Sequence, residues 1–576
     1  MTRTFILRRM KKIILILSFF VAVFAHAQET AFNQLNSVVN VSFASSTIRF
    51  AREHGPAFNQ QVKQQNEWTP EAWRGEKVSI QIVVWSSGDI SSLSLQVHDL
   101  ICENGQKIDA GNINIGFLRY VTTDEFGPGC GYRKTTDFDS LLVADPIDPV
   151  SSVSVKKNTL QPVWLSIKVP AATKQGHYKG IISVNAGKKV DLNISLNVLD
   201  QVLPSADKWK FDLDFWQHPA AIARVHNVPL WSEEHFKYMR PYYTMLADAG
   251  QKCITTSIIN EPWGHQTYDD FPGLIRWIKK KDGSWLYNYS LFDQYVSFVM
   301  SCGIKDRINC YTMIPWKLSF QYYDERSGKD TVINASPGTR EYDEYWSSML
   351  TDFSKHLKAE GWFSITSISM DERSMQDMQA VIKLVHGVDP QWKISLAGEY
   401  HPEIEKDIYD YCVASKWELA DSVLTRRKSK GYHTTVYTCC VEQYPNGFTF
   451  SPPAENVWIG WFAAAKGFTG YLRWAYNSWP KDPVQDSRFT AWPAGDTFLV
   501  YPGPMSSIRF EKMIEGIQDF EKIGIVRDQF IKMGSEKDLK QLERILSSFE
   551  IKNLETIPAG KMIEDARGIL NRHNDK

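Results

Sequence analysis

The sequence has almost no net charge. Lys and Arg number 65 against 66 Asp and Glu in 576 residues, a formal charge of -1. No electrostatic footprint for nucleic acid or an acidic membrane surface is present. The 8 cysteines form no CxxC pair, and HExxH is absent, so neither common zinc pattern is available and no metal or cofactor is expected. Gly127, Gly129 and Gly131 lack the strand–turn–helix frame of a dinucleotide fingerprint. After the first thirty residues no apolar run reaches the ~18 residues a membrane-spanning helix needs.

What is present is an ordinary core-forming composition, 43% hydrophobic and 23% charged, with an aromatic surplus of 20 Trp, 24 Tyr and 30 Phe. More rings than a core requires suit a cleft lined with flat amphipathic surfaces. The N-terminus reads as a secretory signal. Arg8, Arg9, Lys11 and Lys12 precede the apolar run Ile13–Ala25, and Ala25-His26-Ala27 is a small-x-small cleavage site. The expected mature chain starts near Gln28, lacks a lipoprotein cysteine at the cut, and is exported to the periplasm or the medium as a soluble protein. Cys253, Cys310, Cys412 and Cys439 fall in apolar runs and read as small buried hydrophobes. One or two disulfides are compatible with export, with no pairing legible.

The texture changes near residue 205. From about 36 to 200 the pattern has period two, as in Val78-Ser-Ile-Gln-Ile-Val-Val and Val190-Asp-Leu-Asn-Ile-Ser-Leu, which predicts a β-sandwich domain over 28–204. Beyond Pro204 eight strand-like runs (209–217, 252–259, 307–315, 365–371, 392–398, 409–415, 433–440 and 469–476) alternate with runs of apolar residues at helical spacing, such as 233–249, 341–360, 375–385, 456–466 and 506–525. Eight β/α units over 205–525 predict a (β/α)8 TIM-like barrel, the sixth unit having the weakest pattern, with 526–576 as a C-terminal helical extension.

A barrel of this kind carries its chemistry at the C-terminal ends of the strands. Those ends hold Trp216 and His218, Asn260-Glu261-Pro262, Trp316, Asp371-Glu372, Glu399 and His401, Tyr437, and Arg473-Trp474-Ala475-Tyr476-Asn477. The rim is rich in carboxylates, Trp and Tyr and offers no Ser/His/Asp trio. That set suits glycosidic cleavage: an acid protonates the leaving oxygen, a second group stabilises the cationic centre, and rings cover the sugar faces. Asp371-Glu372 is the sharpest pair, since two adjacent acids at a strand end raise one another's pKa. The competing reading makes Asp371 or Ser374 the cap of a helix starting near Met375. Glu261 and Glu399 are alternative carboxylates, and His218 and His401 suit hydrogen bonds to sugar hydroxyls better than metal ligation. Alternation puts Trp474 and Tyr476 on one face of the last strand.

The segment 209–524 resembles the catalytic domain of glycoside hydrolase family 123. The likeness rests on Phe215-Trp216-Gln217-His218-Pro219, Met370-Asp371-Glu372, Tyr471 to Trp479, Gly495 to Gly503 and Ser506 to Phe520. Membership would imply an exo-acting β-N-acetylgalactosaminidase that uses the 2-acetamido group of its substrate as nucleophile. The partner would be a glycolipid or glycoprotein glycan ending in N-acetylhexosamine. By the same resemblance Glu372 is the acid/base, and Asp371 orients the acetamide and stabilises the oxazolinium ion. Tyr437 and Tyr476 are candidates to hold the acetamide oxygen. Trp216, His218, Arg473, Trp474 and Asn477 complete the expected sugar contacts.

Overall fold

The alternating runs of the N-terminal part become strands in a computed structural model that describes residues 39–53, 64–127, 129–137 and 140–571. The signal segment 1–27 and the start near Gln28 lie outside the described residues. One sheet orders Val39–Ala44, Lys77–Ser86, Leu160–Lys168, Ile113–Thr123 and Leu141–Asp148 side by side. A second runs Ser152–Val155, Ile90–Val97, Gly176–Asn185, Lys189–Val202. Alternate residues of both, among them Val41, Ile82, Val163 and Leu165 from the first and Leu93, Ile182, Leu192 and Leu196 from the second, share one buried cluster. A period-two pattern puts one set of side chains of each strand on this shared face, while the opposite face of the first sheet buries a smaller cluster of Ala44, Phe50, Val83, Trp85 and Leu160.

The chain forms two compact units, Met1–Tyr120 with Leu142–Val202, and Val121–Leu141 with Leu203–Lys576. The division expected at 204/205 falls at 202/203, and the loop 121–141, which the sequence reading gave to the first domain, belongs to the second. Its anchors explain why. Thr122 N–H bonds Gln485 O at 2.9 Å, Ser487 N–H bonds Thr122 O at 2.9 Å, and Thr123 shares a 2.6 Å hydroxyl bond with Thr449.

The second unit is built on eight short parallel strands: β1 Asp212–Phe215, β2 Cys253–Ser257, β3 Arg307–Tyr311, β4 Thr366–Asp371, β5 Lys393–Gly398, β6 Asp410–Ala414, β7 His433–Tyr437 and β8 Gly470–Arg473. Hydrogen bonding runs β1-β8-β7-β6-β5-β4-β3-β2. A parallel bridge from Leu213 to Gln251 nearly closes the ring. Their inward and outward faces are both covered, so polar residues that alternate with the apolar ones, such as Asp212, Asp214, Thr255 and Asn309, are buried as well. The helices α1 Glu233–Asp248, α2 Ser290–Ser301, α3 Arg340–Ala359, α4 Met375–Val388, α5 Asp421–Ser429, α6 Ala454–Lys466 and α7 Ile508–Lys532 lie between or after the strands.

Three expectations need correction. The connection 399–409 carries only the 3₁₀ turn Glu405–Asp407; it is shorter than the dozen or so residues a helical crossover takes, so the eight-unit pattern lacks one α-helix. The division at 525/526 does not exist, because α7 runs through it to Lys532. The connections after β2 and β3 are not accounted for by the eight β/α units. They fold into a four-stranded sheet of Trp285–Asn288, Arg276–Lys279, Ser319–Asp324 and Lys329–Asn334.

Candidate active site

A cavity of about 190 Å³ opens at the C-terminal end of the barrel strands, where such barrels keep their chemistry. Asp371 is the last residue of β4 and Glu372 follows it; both line the cavity. Glu372 N–H pairs with Ala397 O at 2.8 Å, which continues the β4–β5 ladder by one residue. Gly398 makes room for this: a Cβ there would lie 3.3 Å from Glu372 Cα. The helix-cap reading is settled for Ser374, whose hydroxyl accepts from Asp377 N–H at the start of α4, and that leaves Asp371 for the cavity.

Each carboxylate is held by a different set of groups. Asp371 Oδ2 accepts from Trp316 Nε1 at 3.2 Å and Oδ1 from Arg373 Nη2 at 2.9 Å. The Arg373 guanidinium lies over the Trp316 ring, 4.2 Å from its centre. Glu372 Oε1 accepts from the Tyr437 hydroxyl at 2.7 Å. The surrounding cavity walls raise the Glu372 pKa, the Tyr437 bond lowers it, and the neighbouring Asp371 charge raises it, with a net upward shift. A carboxyl whose pKa is pushed upward beside a second carboxyl is the hardware of a general acid.

The walls are aromatic. Trp216, Trp263 and Trp474 pack edge-to-face and tilted, with ring centres 5.1–5.6 Å apart. Trp492 is fixed by its Nε1 bond to Gln266 O at 2.9 Å. Asp496, in the segment after β8, also faces the cavity. On this side a disulfide joins Cys130 to Cys440, with Cα atoms 5.2 Å apart, and ties the loop 121–141 to the turn after β7. Cys439 is a free thiol beside it. These three sulfur atoms lie within 4.8 Å of one another, but the bridge consumes two of them as ligands.

Of the nine residues expected to act on or bind the sugar, the cavity gathers Asp371, Glu372, Trp216, Tyr437 and Trp474, and Trp316, noted at the end of the third strand, lines it too. The other four stand behind it. His218 is fully buried, stacked on Phe271 with ring centres 3.6 Å apart. It bonds Ser478 Oγ at 2.8 Å and Asp270 O at 3.1 Å, and burial pulls its pKa down to about 3, so it is neutral. Asn477 ties His218 by both backbone groups, at 2.9 Å each. Tyr476 is buried, its hydroxyl bonded to Tyr242 O at 2.9 Å. Because β8 ends at Arg473, strand alternation no longer applies at 476, and Tyr476 does not share the face of Trp474. Arg473 is also fully buried and reaches Asp496 at 2.6 Å and Asn446 at 2.6 Å.

The rival carboxylates are elsewhere. Glu261 has one oxygen on His265 N–H at 2.9 Å and the other on Phe271 N–H, so it organises its own loop. Glu399 is exposed and paired with Lys416 at 2.9 Å. Neither lines the cavity. His401 N–H bonds the Tyr411 hydroxyl at 2.8 Å. Trp263, which ends the second strand run, is a wall residue as well, and the sequence pattern did not point to Trp492 or Asp496. Gly495-Asp496 stood inside a quoted motif, the one signal that was available.

Comparison with known proteins agrees with this geometry. The model of the glycoside hydrolase 123 catalytic domain matches residues 216–526, and that of the glycoside hydrolase 123 N-terminal domain matches 43–186. A solved family 123 glycoside hydrolase from Clostridium perfringens, studied for glycolipid glycan hydrolysis, is 28% identical with a TM-score of 0.84. The match covers 93% of this chain and 98% of that one. A family 39 glycoside hydrolase from Bacteroides cellulosilyticus is 11% identical over 74% of this chain and 80% of its own, with a TM-score of 0.33, too low to argue from. No curated protein matches the chain. With the catalytic-domain model spanning more than half of its residues and the acid pair seated in the barrel mouth, the chain belongs to glycoside hydrolase family 123 and is a glycoside hydrolase.

Proposed function

We propose that the enzyme removes terminal β-linked N-acetylgalactosamine from glycans with retention, using the substrate's 2-acetamido group as nucleophile. The observation that carries this reading is the seating of two adjacent carboxylates, Asp371 and Glu372, in one aromatic cavity. A glycosidase with a protein nucleophile places its two carboxyls about 5 Å apart across the scissile bond, a requirement that substrate assistance removes.

The steps balance as follows. The acetamide oxygen attacks the anomeric carbon while Glu372 gives its proton to the departing glycosidic oxygen. Asp371 accepts from the acetamide N–H and offsets the positive charge of the oxazolinium ion. Water then attacks the anomeric carbon from the other face, Glu372 takes its proton, and the ring opens to N-acetylgalactosamine. Two inversions give retention. Trp316 and Arg373 fix Asp371, and Tyr437 fixes Glu372. Trp216 and Trp474 supply apolar faces for the sugar, as flat rings do.

The similarity to a protein studied for glycolipid glycan hydrolysis supports a glycolipid or glycoprotein glycan as the natural substrate. Export to the periplasm or the medium fits both the N-terminal signal pattern and the Cys130–Cys440 bridge, since such bonds persist in oxidising compartments. Among the described residues no helix is long and apolar enough to cross a membrane. The two sheets of the first unit, sharing one apolar cluster, fit a β-sandwich. The test is release of the aryl group from paired substrates. Aryl β-N-acetylgalactosaminide should turn over well ahead of the β-N-acetylglucosaminide, and the β-galactoside should be inert. Comparable turnover of the β-galactoside would refute the reading.

A further inference from the structure

One carboxylate of the cavity has no part in the steps above. Asp496 lies in the segment after β8, 3% exposed, and lines the same cavity as Glu372. Its backbone oxygen accepts from Arg473 Nε at 3.2 Å, and Oδ1 accepts from Arg473 Nη2 at 2.6 Å. Oδ2 takes no hydrogen bond among the described residues, and the side chain keeps a small accessible fraction. Arg473 itself is held from several sides. It is fully buried and also bonds Thr438 Oγ1 at 3.0 Å and Asn446 Oδ1 at 2.6 Å. A cavity-facing acceptor aimed by a fixed guanidinium, against the apolar edges of Leu472 and Trp474, is built to receive a donor from a ligand.

We infer that Asp496 is a specificity-determining residue that accepts a hydrogen bond from one hydroxyl of the non-reducing-end sugar, with Arg473 as its positioning residue. A sugar hydroxyl is the donor that fits, because a cation would be repelled by Arg473 and an anion by Asp496. The hydroxyl belongs to C3, C4 or C6, the positions left once C1 and the C2 substituent lie at Asp371-Glu372. The inference rests on the proposed seating of one terminal sugar in this cavity. Burial raises the Asp496 pKa and the Arg473 charge lowers it, leaving it at about 6. It is therefore largely ionised above neutrality, and its acceptor bond is charge-assisted.

The test reads binding independently of turnover. The cavity tryptophans make intrinsic fluorescence a probe for titrating the full chain with N-acetylgalactosamine and its 3-, 4- and 6-deoxy derivatives. In the wild type one deoxy derivative should bind about 10–100-fold more weakly than the parent, the range of a hydrogen bond to a charged group. In Asp496→Asn, which keeps an oxygen for Arg473, the parent should weaken by a similar factor and the same deoxy derivative should weaken no further. Equal losses for all three derivatives, undiminished losses in the variant, or no binding of the parent by the wild type would each overturn the inference. If Asp496→Asn does not fold, an even response of the wild type to the three derivatives still refutes it, and a single sensitive position sustains it. The aryl glycoside comparison can fail while this coupling holds, so the two readings fail separately.

Discussion

The two ends of the barrel both concentrate acidic side chains, and they treat them in opposite ways. At the N-terminal end Asp212 opens β1, Arg307 opens β3, Asp410 opens β6 and His433 opens β7. Arg307 bonds Asp212 and lies 3.5 Å from Asp410, and His433 sits 2.6 Å from Asp212. All but His433 are nearly inaccessible to solvent. Burial alone would raise the Asp212 pKa, but Arg307 and His433 together bring it well below the usual carboxylate range. At the C-terminal end Asp371, Glu372 and Asp496 each have an anchor and each also reaches the cavity. The same residue type is therefore structural where cations surround it and chemically available where one side is left open. Accessibility and incomplete pairing separate the two roles more cleanly than strand position does.

That contrast can be broken most sharply at Glu372. Replacement by Gln should cut kcat/KM for substrates with poor leaving groups by about 10²–10⁴-fold, and Asp371→Asn by about 10²–10³-fold through the lost charge partner. Thermal unfolding should be nearly unchanged in both. In the wild type the rate should fall as pH rises through the elevated Glu372 pKa, because the protonated form is the working acid, and Gln should abolish that limb. Retained activity in a folded Glu372→Gln protein would remove the distinction between the two ends.

The mirror experiment is Arg307→Met. Asp212 and Asp410 would be left buried without their cation, a loss of about 3–5 kcal/mol in unfolding free energy, read by denaturant titration. KM of the surviving folded protein should stay near that of the wild type. A normal stability with altered KM would place Arg307 in the site.

Asp214, also on β1, gives a smaller effect. Burial, with a further push from Asp410, raises its pKa from 3.8 to about 7. The folded chain then keeps a proton that the unfolded chain releases near pH 4. This contribution to stability is complete below about pH 4 and is lost as pH rises toward 7. Asp214→Asn should flatten that part of the stability profile and leave turnover unaltered. An unchanged profile would show that Asp214 is ionised throughout.

Much of this was legible from the sequence, and what was not has physical causes. Strand-like runs placed all eight barrel strands, and strand ends gave Asp371, Glu372, Trp216, Tyr437 and Trp474 their positions at the cavity. His218, Arg473, Tyr476 and Asn477 were assigned to sugar contacts because they sit beside those ends. Just past a strand the backbone turns, and the period-two rule gives no direction. Asp496, Trp492 and Cys130 reach the cavity from long connections whose placement depends on tertiary bonds such as Cys130–Cys440 and Arg473–Asp496. Local pattern carries no information about such bonds. No α-helix follows β5 because the short connection 399–409 leaves room only for the turn Glu405–Asp407, a length the strand pattern on either side does not reveal.

The central claim is that the nucleophile belongs to the substrate. The most direct measurement is turnover of aryl β-N-acetylgalactosaminide in the presence of the thiazoline derived from N-acetylgalactosamine, a stable mimic of the bicyclic intermediate. The account predicts competitive inhibition, with the thiazoline bound more tightly than the substrate, as expected for a mimic of a species close to the transition state. Full turnover at thiazoline concentrations far above KM would contradict it.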